Sequence, residues 1–271
     1  MLGVESPTSK NRHHRLKRVI NMHYKNKWIT PALIEELHAL SGSLLDVGGG
    51  AAPYYRASHI LDLQPFAADR LAQNVWGMSP GTNRSSPRWS PEQYTSLDLC
   101  EEQTWPFLDG QFDWGLCSHC LEDLRNPLPA VRELQRVCRQ VIIVTPSRLL
   151  EQTRGIDHPL FSGFFHHPWM VYQQGNQLRF RRKTSLVELP GCHLNCPWNK
   201  TLTLEAGISV FRGSGLIPIE EAFWNETEET AEYRSFLKPY QACKKTLFVT
   251  DLTRCNWRFK IWWIKQLISG K

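Results

Sequence analysis

No stretch of this chain approaches the roughly 18 consecutive apolar residues that a membrane-spanning helix needs. Its N-terminus also lacks the apolar core of a secretory signal, so a cytoplasmic protein is expected. No internal repeat is visible, which sets solenoids and propellers aside. The glycines never fall into Gly-x-Gly-x-x-Gly: after Gly48 and Gly50 the third position is Pro53, which argues against a hydride-transferring dinucleotide enzyme. Nor does Gly-Lys-Ser or Gly-Lys-Thr follow, so the turn is not a phosphate-gripping loop. Cys192, His193 and Cys196 have no second Cys or His pair at zinc spacing, and no metal site is expected. For Asp157-His158 with His166-His167, burial or substrate contact is preferred to metal binding. Acidic residues are scarce at the start. Glu5 alone stands against Lys10, Arg12, Arg15, Lys17, Arg18, Lys25 and Lys27, and this arm accounts for the whole formal excess of +6. A solvated terminus is preferred for it and nucleic-acid binding is not expected, because no aromatic platform accompanies the charges.

What is present fits one globular domain with elaborations, or two small domains sharing a core: 271 residues, 41% hydrophobic and 21% charged. The eight cysteines are scattered, and reduced, mostly buried thiols are expected. The chain is organised around Leu44-Leu45-Asp46-Val47-Gly48-Gly49-Gly50, an apolar run ending in an acid and three glycines. That pattern predicts a buried strand entering a turn whose backbone lies open to a ligand. Thr30-Pro31 starts a helix with Leu33, Ile34, Leu37 and Leu40 on one face and Gly42 at its stop. His59 to Asp62 and Tyr94 to Asp98 read as strands, each ending in a carboxylate. The link from Gly50 to His59 has room for a turn or two of helix. Met78 to Pro87 reads as an insertion loop near the ligand site. A turn at Asp109-Gly110 precedes a fourth strand, Trp114 to Ser118. Leu128, Val131, Leu134 and Val137 mark a helix with Arg132, Glu133 and Arg136 facing out. Val141 to Val144 is a buried parallel strand stopped by Thr145-Pro146. Strands alternating with helices predict a doubly wound α/β sheet. Beyond Pro146, Trp169 to Tyr172 and Leu178 to Phe180 form a hairpin around Gly175-Asn176, and Lys245 to Thr250 a late strand. The tail, Trp257 to Ile268, is a basic aromatic helix. It suits docking on the domain, with peripheral contact with a membrane surface as the alternative.

Asp46-Val47-Gly48-Gly49-Gly50, then Asp62, Asp98-Leu99, Trp105-Pro106-Phe107, Phe112-Asp113 and Ser118-His119-Cys120-Leu121-Glu122-Asp123-Leu124 resemble the successive motifs of class I S-adenosylmethionine-dependent methyltransferases. The similarity continues through Arg132 to Val137 and Val141 to Pro146. It implies a Rossmann-like, seven-stranded methyltransferase sheet with helices on both faces and a C-terminal substrate-covering elaboration. The boundaries that follow are a basic arm (1–29), a cofactor-binding core (30–146), remaining strands with substrate-covering insertions (147–250) and the basic aromatic tail (251–271).

The resemblance implies S-adenosyl-L-methionine as cofactor, held by Asp46, Gly48, Gly49, Gly50, Asp62, Asp98, Leu99, Ser118 and His119. Asp46 would hold the ammonium group or order the turn, Asp62 would accept from the ribose hydroxyls, and Asp98 would accept from the adenine amino group. Ser118 and His119 would lie beside the methyl. Many relatives carry histidine after the Leu-Glu pair where this chain has Asp123, so that histidine's role is not carried over. The segment Arg154 to Trp169 is similar to one in bacterial methyltransferase-like proteins of glycan and cell-surface biosynthesis, which implies a small-molecule or saccharide acceptor. Methyl transfer to a hydroxyl needs a proton acceptor, and imidazole titrates near neutrality. His119, His158, His166 and His167 are candidates, His166 and His167 the preferred ones. The alternative is a methyltransferase-shaped binding or scaffold protein without turnover, working through its arm and tail.

Overall fold

The computed structural model describes residues 29–250 apart from 51, 74, 79–88, 198–199, 215–218, 223–225 and 243–246. Residues 1–28 of the basic arm, all but Met78 of the insertion loop 78–87, and the aromatic tail therefore lie outside the described residues. In chain order the elements are α1 (Pro31–Ala39), β1 (Leu44–Val47), β2 (His59–Asp62), α2 (Ala68–Gln73), β3 (Tyr94–Ser96), β4 (Phe112–Ser118), α3 (Leu128–Val137) and β5 (Cys138–Pro146). There follow α4 (Arg148–Glu151), β6 (Thr153–Arg154), β7 (Trp169–Gln174), β8 (Gln177–Arg182), β9 (Leu194–Asn195), β10 (Lys200–Leu202), α5 (Leu204–Gly207), β11 (Ile208–Ser214), β12 (Ile219–Ala222), α6 (Glu226–Ala242) and β13 (Phe248–Thr250).

The central sheet has the order β11-β5-β4-β1-β2-β3, parallel throughout except for β11 against β5. This is the doubly wound α/β architecture. Among the described residues the sheet has six strands, where seven are expected. Alternation along the strands sends side chains to two cores. Leu45, Val47, Leu61, Cys117, Val141 and Ile143 meet Val131, Leu134 and Val137 of α3 and Val171 and Phe180 of the β7–β8 hairpin. Leu44, Ile60, Leu116, Ile142 and Val144 meet Leu33 and Leu37 of α1, with Tyr54, Leu71 and Trp76. Burial on both faces explains why β1 and β5 read as continuous apolar runs.

Helix α1 starts as expected, with Thr30 Oγ1 accepting from Leu33 N–H at 3.2 Å and proline in the first turn. The short link between Gly50 and His59 holds no helix among its described residues. Instead Tyr54 is buried and bridges to Trp76. Arg136 and Glu133 do not simply face out. Glu133 Oε2 accepts from Trp105 N–H at 2.7 Å, and Arg136 donates to the carbonyls of Trp105 (3.1 Å) and Phe107 (2.9 Å), so the pair fastens the Trp105–Phe107 loop to α3. After β5 the hairpin forms with Gly175 at φ +61° in its turn, and Thr145 Oγ1 donates to Val171 O at 2.9 Å to tie it to β5. Strands β11 and β12 and helix α6 carry no clear pattern in the sequence. In β11 only Ile208 and Phe211 are buried, and α6 contains Pro239.

Candidate active site

Because β1, β2, β4 and β5 run parallel, their carboxyl ends and the loops that follow share one edge of the sheet, where open α/β sheets bind ligands. Gly48 turns there at φ +77°, its N–H donating to Leu61 O at 2.8 Å. The three glycines are required chiefly by the protein's own side chains. A Cβ on Gly48 would strike Cys120 Sγ, one on Gly49 the Asp46 carboxylate, and one on Gly50 the Asp62 carboxylate. Asp46 is buried, and its Oδ2 accepts from Tyr54 N–H at 2.7 Å. That contact ties the carboxylate to the chain just past the glycines. Burial, opposed by the Tyr54 hydrogen bond and aided by the Asp62 charge, pushes the Asp46 carboxyl up to about 7.

Asp62 is half-buried. Its Oδ2 accepts from Gly50 N–H at 2.9 Å and its Oδ1 from Gln64 N–H at 2.8 Å, locking the carboxylate over the glycine turn. Asp98 Oδ1 accepts from Cys100 N–H at 2.8 Å, a loop-capping contact, while its Oδ2 lies 3.9 Å from Arg125. Leu99 sits in the core, so only its main chain is available to a ligand. Ser118 ends β4 opposite Val144. His119 follows at φ 52°, a left-handed conformation uncommon outside glycine, with its N–H donating to Val144 O at 2.8 Å. Its Nδ1 lies 3.4 Å from Glu122. Glu122 is 1% exposed, and among the described residues neither of its carboxylate oxygens has a hydrogen-bond partner.

The preferred histidines lie beside that loop. Nε2 of His167 is 3.5 Å from Asp123 Oδ1, and Nε2 of His166 is 3.6 Å from the same oxygen. His167 is buried, with Nδ1 at 2.7 Å from Glu151 Oε1. Burial alone would lower its pKa. The hydrogen bond and charge of Glu151, with the charges of Glu122 and Asp123, outweigh burial and raise it. Glu151 Oε2 in turn accepts from Lys183 Nζ at 2.7 Å, and Lys183 also donates to the carbonyl of Phe164. Gly163, at φ +61°, makes room, since a Cβ there would strike Glu151. Trp169 Nε1 donates to Leu124 O at 2.9 Å, holding the hairpin against the β4 loop.

Glu151, Lys183 and Asp123 are the members of this group that motif reasoning missed. One signal was available for Glu151, a carboxylate placed directly after Leu149-Leu150 just past the carboxyl end of β5. His158 is elsewhere, its ring 4.8 Å from that of Phe161 and its Nδ1 accepting from Leu160 N–H. Cys192 Sγ points to Thr230 O, His193 Nδ1 lies 2.9 Å from Val187 O, and Cys196 Sγ points to Lys200 O, so these three do not converge. Six cysteines among the described residues are free thiols. A cavity of about 290 Å³ between α4 and β11, lined by Ser147, Arg148, Phe236 and Tyr240 among others, contains none of the groups gathered at the glycine turn or the β4 loop.

Residues 64–141 match the family model described as a methyltransferase domain. That stretch, under a third of the chain, is similar to a methyltransferase domain. The match begins just after Asp62 and runs through β3, the β4 loop and α3 into the start of β5, leaving the glycine turn, Asp62 and the His166–His167 pair outside it. No curated protein matches the chain significantly. Among solved structures, an S-adenosylmethionine-dependent methyltransferase from Thermotoga maritima is similar at 12% identity and TM-score 0.32, over 49% of this chain and 59% of that one. A second, from Aquifex aeolicus, is similar at 18% identity and TM-score 0.30, over 45% of this chain and 67% of that one. The chain thus spans less than two thirds of the Thermotoga protein's length.

S-adenosylmethionine is the cofactor that the sequence resemblance implies, and Asp62 offers a direct test of fit. An ionised carboxylate has about four acceptor positions. Two are used by Gly50 and Gln64, and the group is half-buried, so capacity remains for the two hydroxyls of a ribose. Asp46, 2% exposed, has no such open capacity.

No helix among the described residues is long and apolar enough to cross a membrane.

Proposed function

We propose that this protein transfers a methyl group from S-adenosylmethionine to a hydroxyl or amine of a small molecule or saccharide. The observation that carries this reading is the junction of two groups of residues on one loop. Cys120 packs against the glycine turn, while Glu122 and Asp123, two and three residues on, face His119, His166 and His167. A cofactor seated over Gly48, Gly49 and Gly50 and held at Asp62 would bring its reacting end toward these imidazoles. When bound, S-adenosylmethionine supplies an electrophilic methyl on a sulfonium for in-line displacement. The protein's share is to position the acceptor and take its proton. Asp98, Leu99 and Ser118 complete the proposed cofactor contacts. His166, His167 and His119 are the proposed proton acceptors, and Glu151 fixes the orientation of the His167 ring.

Incubating the purified full chain with methyl-labelled S-adenosylmethionine and fractionated lysate or glycan extracts tests this. Label should appear in a small-molecule or saccharide fraction, and the transfer should fall in the Asp62→Ala variant. Cofactor binding without label transfer to any fraction would overturn the enzymatic reading and favour the scaffold alternative.

A further inference from the structure

Asp123, His166 and His167 converge on one point without bonding to each other. Asp123 Oδ1 stands 3.6 Å from His166 Nε2 and 3.5 Å from His167 Nε2, and the three ligand atoms all lie within 4.8 Å of one another. Those separations are too long for a nitrogen–oxygen hydrogen bond, which spans about 2.7–3.2 Å. They suit atoms sharing an ion. Two ligands each about 2.1 Å from a metal, at a tetrahedral angle, stand about 3.4 Å apart. The two imidazole rings are 4.5 Å apart and nearly perpendicular, at 78°, and both present Nε2 to the same carboxylate.

The surroundings agree. His167 hands its other ring nitrogen, Nδ1, to Glu151 Oε1, the carboxylate–histidine arrangement that orients metal-bound imidazole. Glu151 is itself held by Lys183 and 1% exposed, so the ring orientation is fixed before any ligand arrives. Charge also points to a cation. Glu122, Asp123 and Glu151 bring three carboxylates, and Lys183 is committed to Glu151. Of these, Glu122 is a carboxylate buried beside the site with no hydrogen-bond partner on either oxygen among the described residues.

We infer that Asp123, His166 and His167 form a binding site for a divalent first-row transition ion of the zinc class. Two imidazoles and one carboxylate suit such an ion and leave coordination positions open to a substrate oxygen or water. Asp123 and His166 are 46% and 50% exposed on their side chains, so the site opens to solvent on that side. With an ion bound, His166 and His167 act as ligands, and His119 is the remaining imidazole of that face for proton transfer. The inference concerns binding alone and stands apart from whether methyl transfer follows.

The test is metal uptake by the full chain after exhaustive dialysis against chelator. Co²⁺ should bind with one-to-one stoichiometry and give visible d–d absorption, and Zn²⁺ should displace it. Asp123→Asn and His166→Gln, both at half-exposed positions, should keep the thermal unfolding of the parent while weakening Co²⁺ binding at least tenfold, and His158→Ala should bind as the parent does. Absence of Co²⁺ absorption and Zn²⁺ uptake in the parent would overturn the inference. So would uptake that is unchanged in both Asp123→Asn and His166→Gln, or that is abolished by alkylating the thiols. Loss of label transfer with metal uptake intact would count against the methyltransferase reading and leave the metal site standing.

Discussion

His167 Nδ1 lies 2.7 Å from Glu151 Oε1, and the other oxygen of that carboxylate lies 2.7 Å from Lys183 Nζ. One buried carboxylate therefore joins the loop after β6, helix α4 and the end of the β7–β8 hairpin. Removing its charge leaves Lys183, 8% exposed on its side chain, without its anionic partner. Breaking such a buried pair costs about 3–5 kcal/mol. Glu151→Gln should lose stability on that scale in urea denaturation. The double variant with Lys183→Met should lose less than the single one, because no uncompensated charge remains. A loss below about 0.5 kcal/mol in Glu151→Gln, the range of ordinary surface substitutions, would show that the pair does not hold the site.

Asp46 makes stability depend on pH in a defined direction. Its carboxyl is raised from 3.8 to about 7 by burial, so the folded protein holds this proton more tightly than the unfolded chain does. The stabilising contribution is fully present below about pH 4 and is lost as pH rises to about 7. A shift of about three units corresponds to at most about 4 kcal/mol. Asp46→Asn keeps an acceptor for Tyr54 N–H but cannot ionise. Measured by denaturation from pH 4 to 8, the stability of the parent relative to Asp46→Asn should fall across this window. A difference independent of pH would contradict the burial of an ionisable group there.

Asp62 is the residue on which the cofactor assignment rests most directly. Hydrogen bonds to a charged acceptor contribute about 1.5–3 kcal/mol each. Asp62→Ala should therefore weaken S-adenosylmethionine binding by tenfold or more in calorimetry, with thermal unfolding measured alongside because the side chain also holds Gly50 and Gln64. Unchanged affinity would remove Asp62 from the ribose contact.

The core elements were legible because each carries a local signal: a capped amphipathic helix at Pro31–Ala39, apolar runs at β1 and β5, and helical spacing from Leu128 to Val137. Past the hairpin, strand β11 and helix α6 were not. Strand β11 is set by pairing with the edge of β5, and α6 by burial of Tyr233 and Leu237 rather than by a broad apolar stripe. Glu133 and Arg136 read as solvent-facing by helical period. Yet they are spent on a loop that the period cannot see.

By itself the sequence determined the doubly wound core, the glycine turn and the order of the carboxylates Asp46, Asp62 and Asp98, since these depend on period, turn chemistry and neighbours close in the chain. Only the tertiary structure decided where those groups point. It turned Asp46 inward to Tyr54, laid Asp62 across Gly50, and gathered Asp123, Glu151, His166, His167 and Lys183 from four separate stretches. The physical reason is that a buried charge must find its partner in space, and the partners of Glu151 and His167 lie 16 to 44 positions away along the chain.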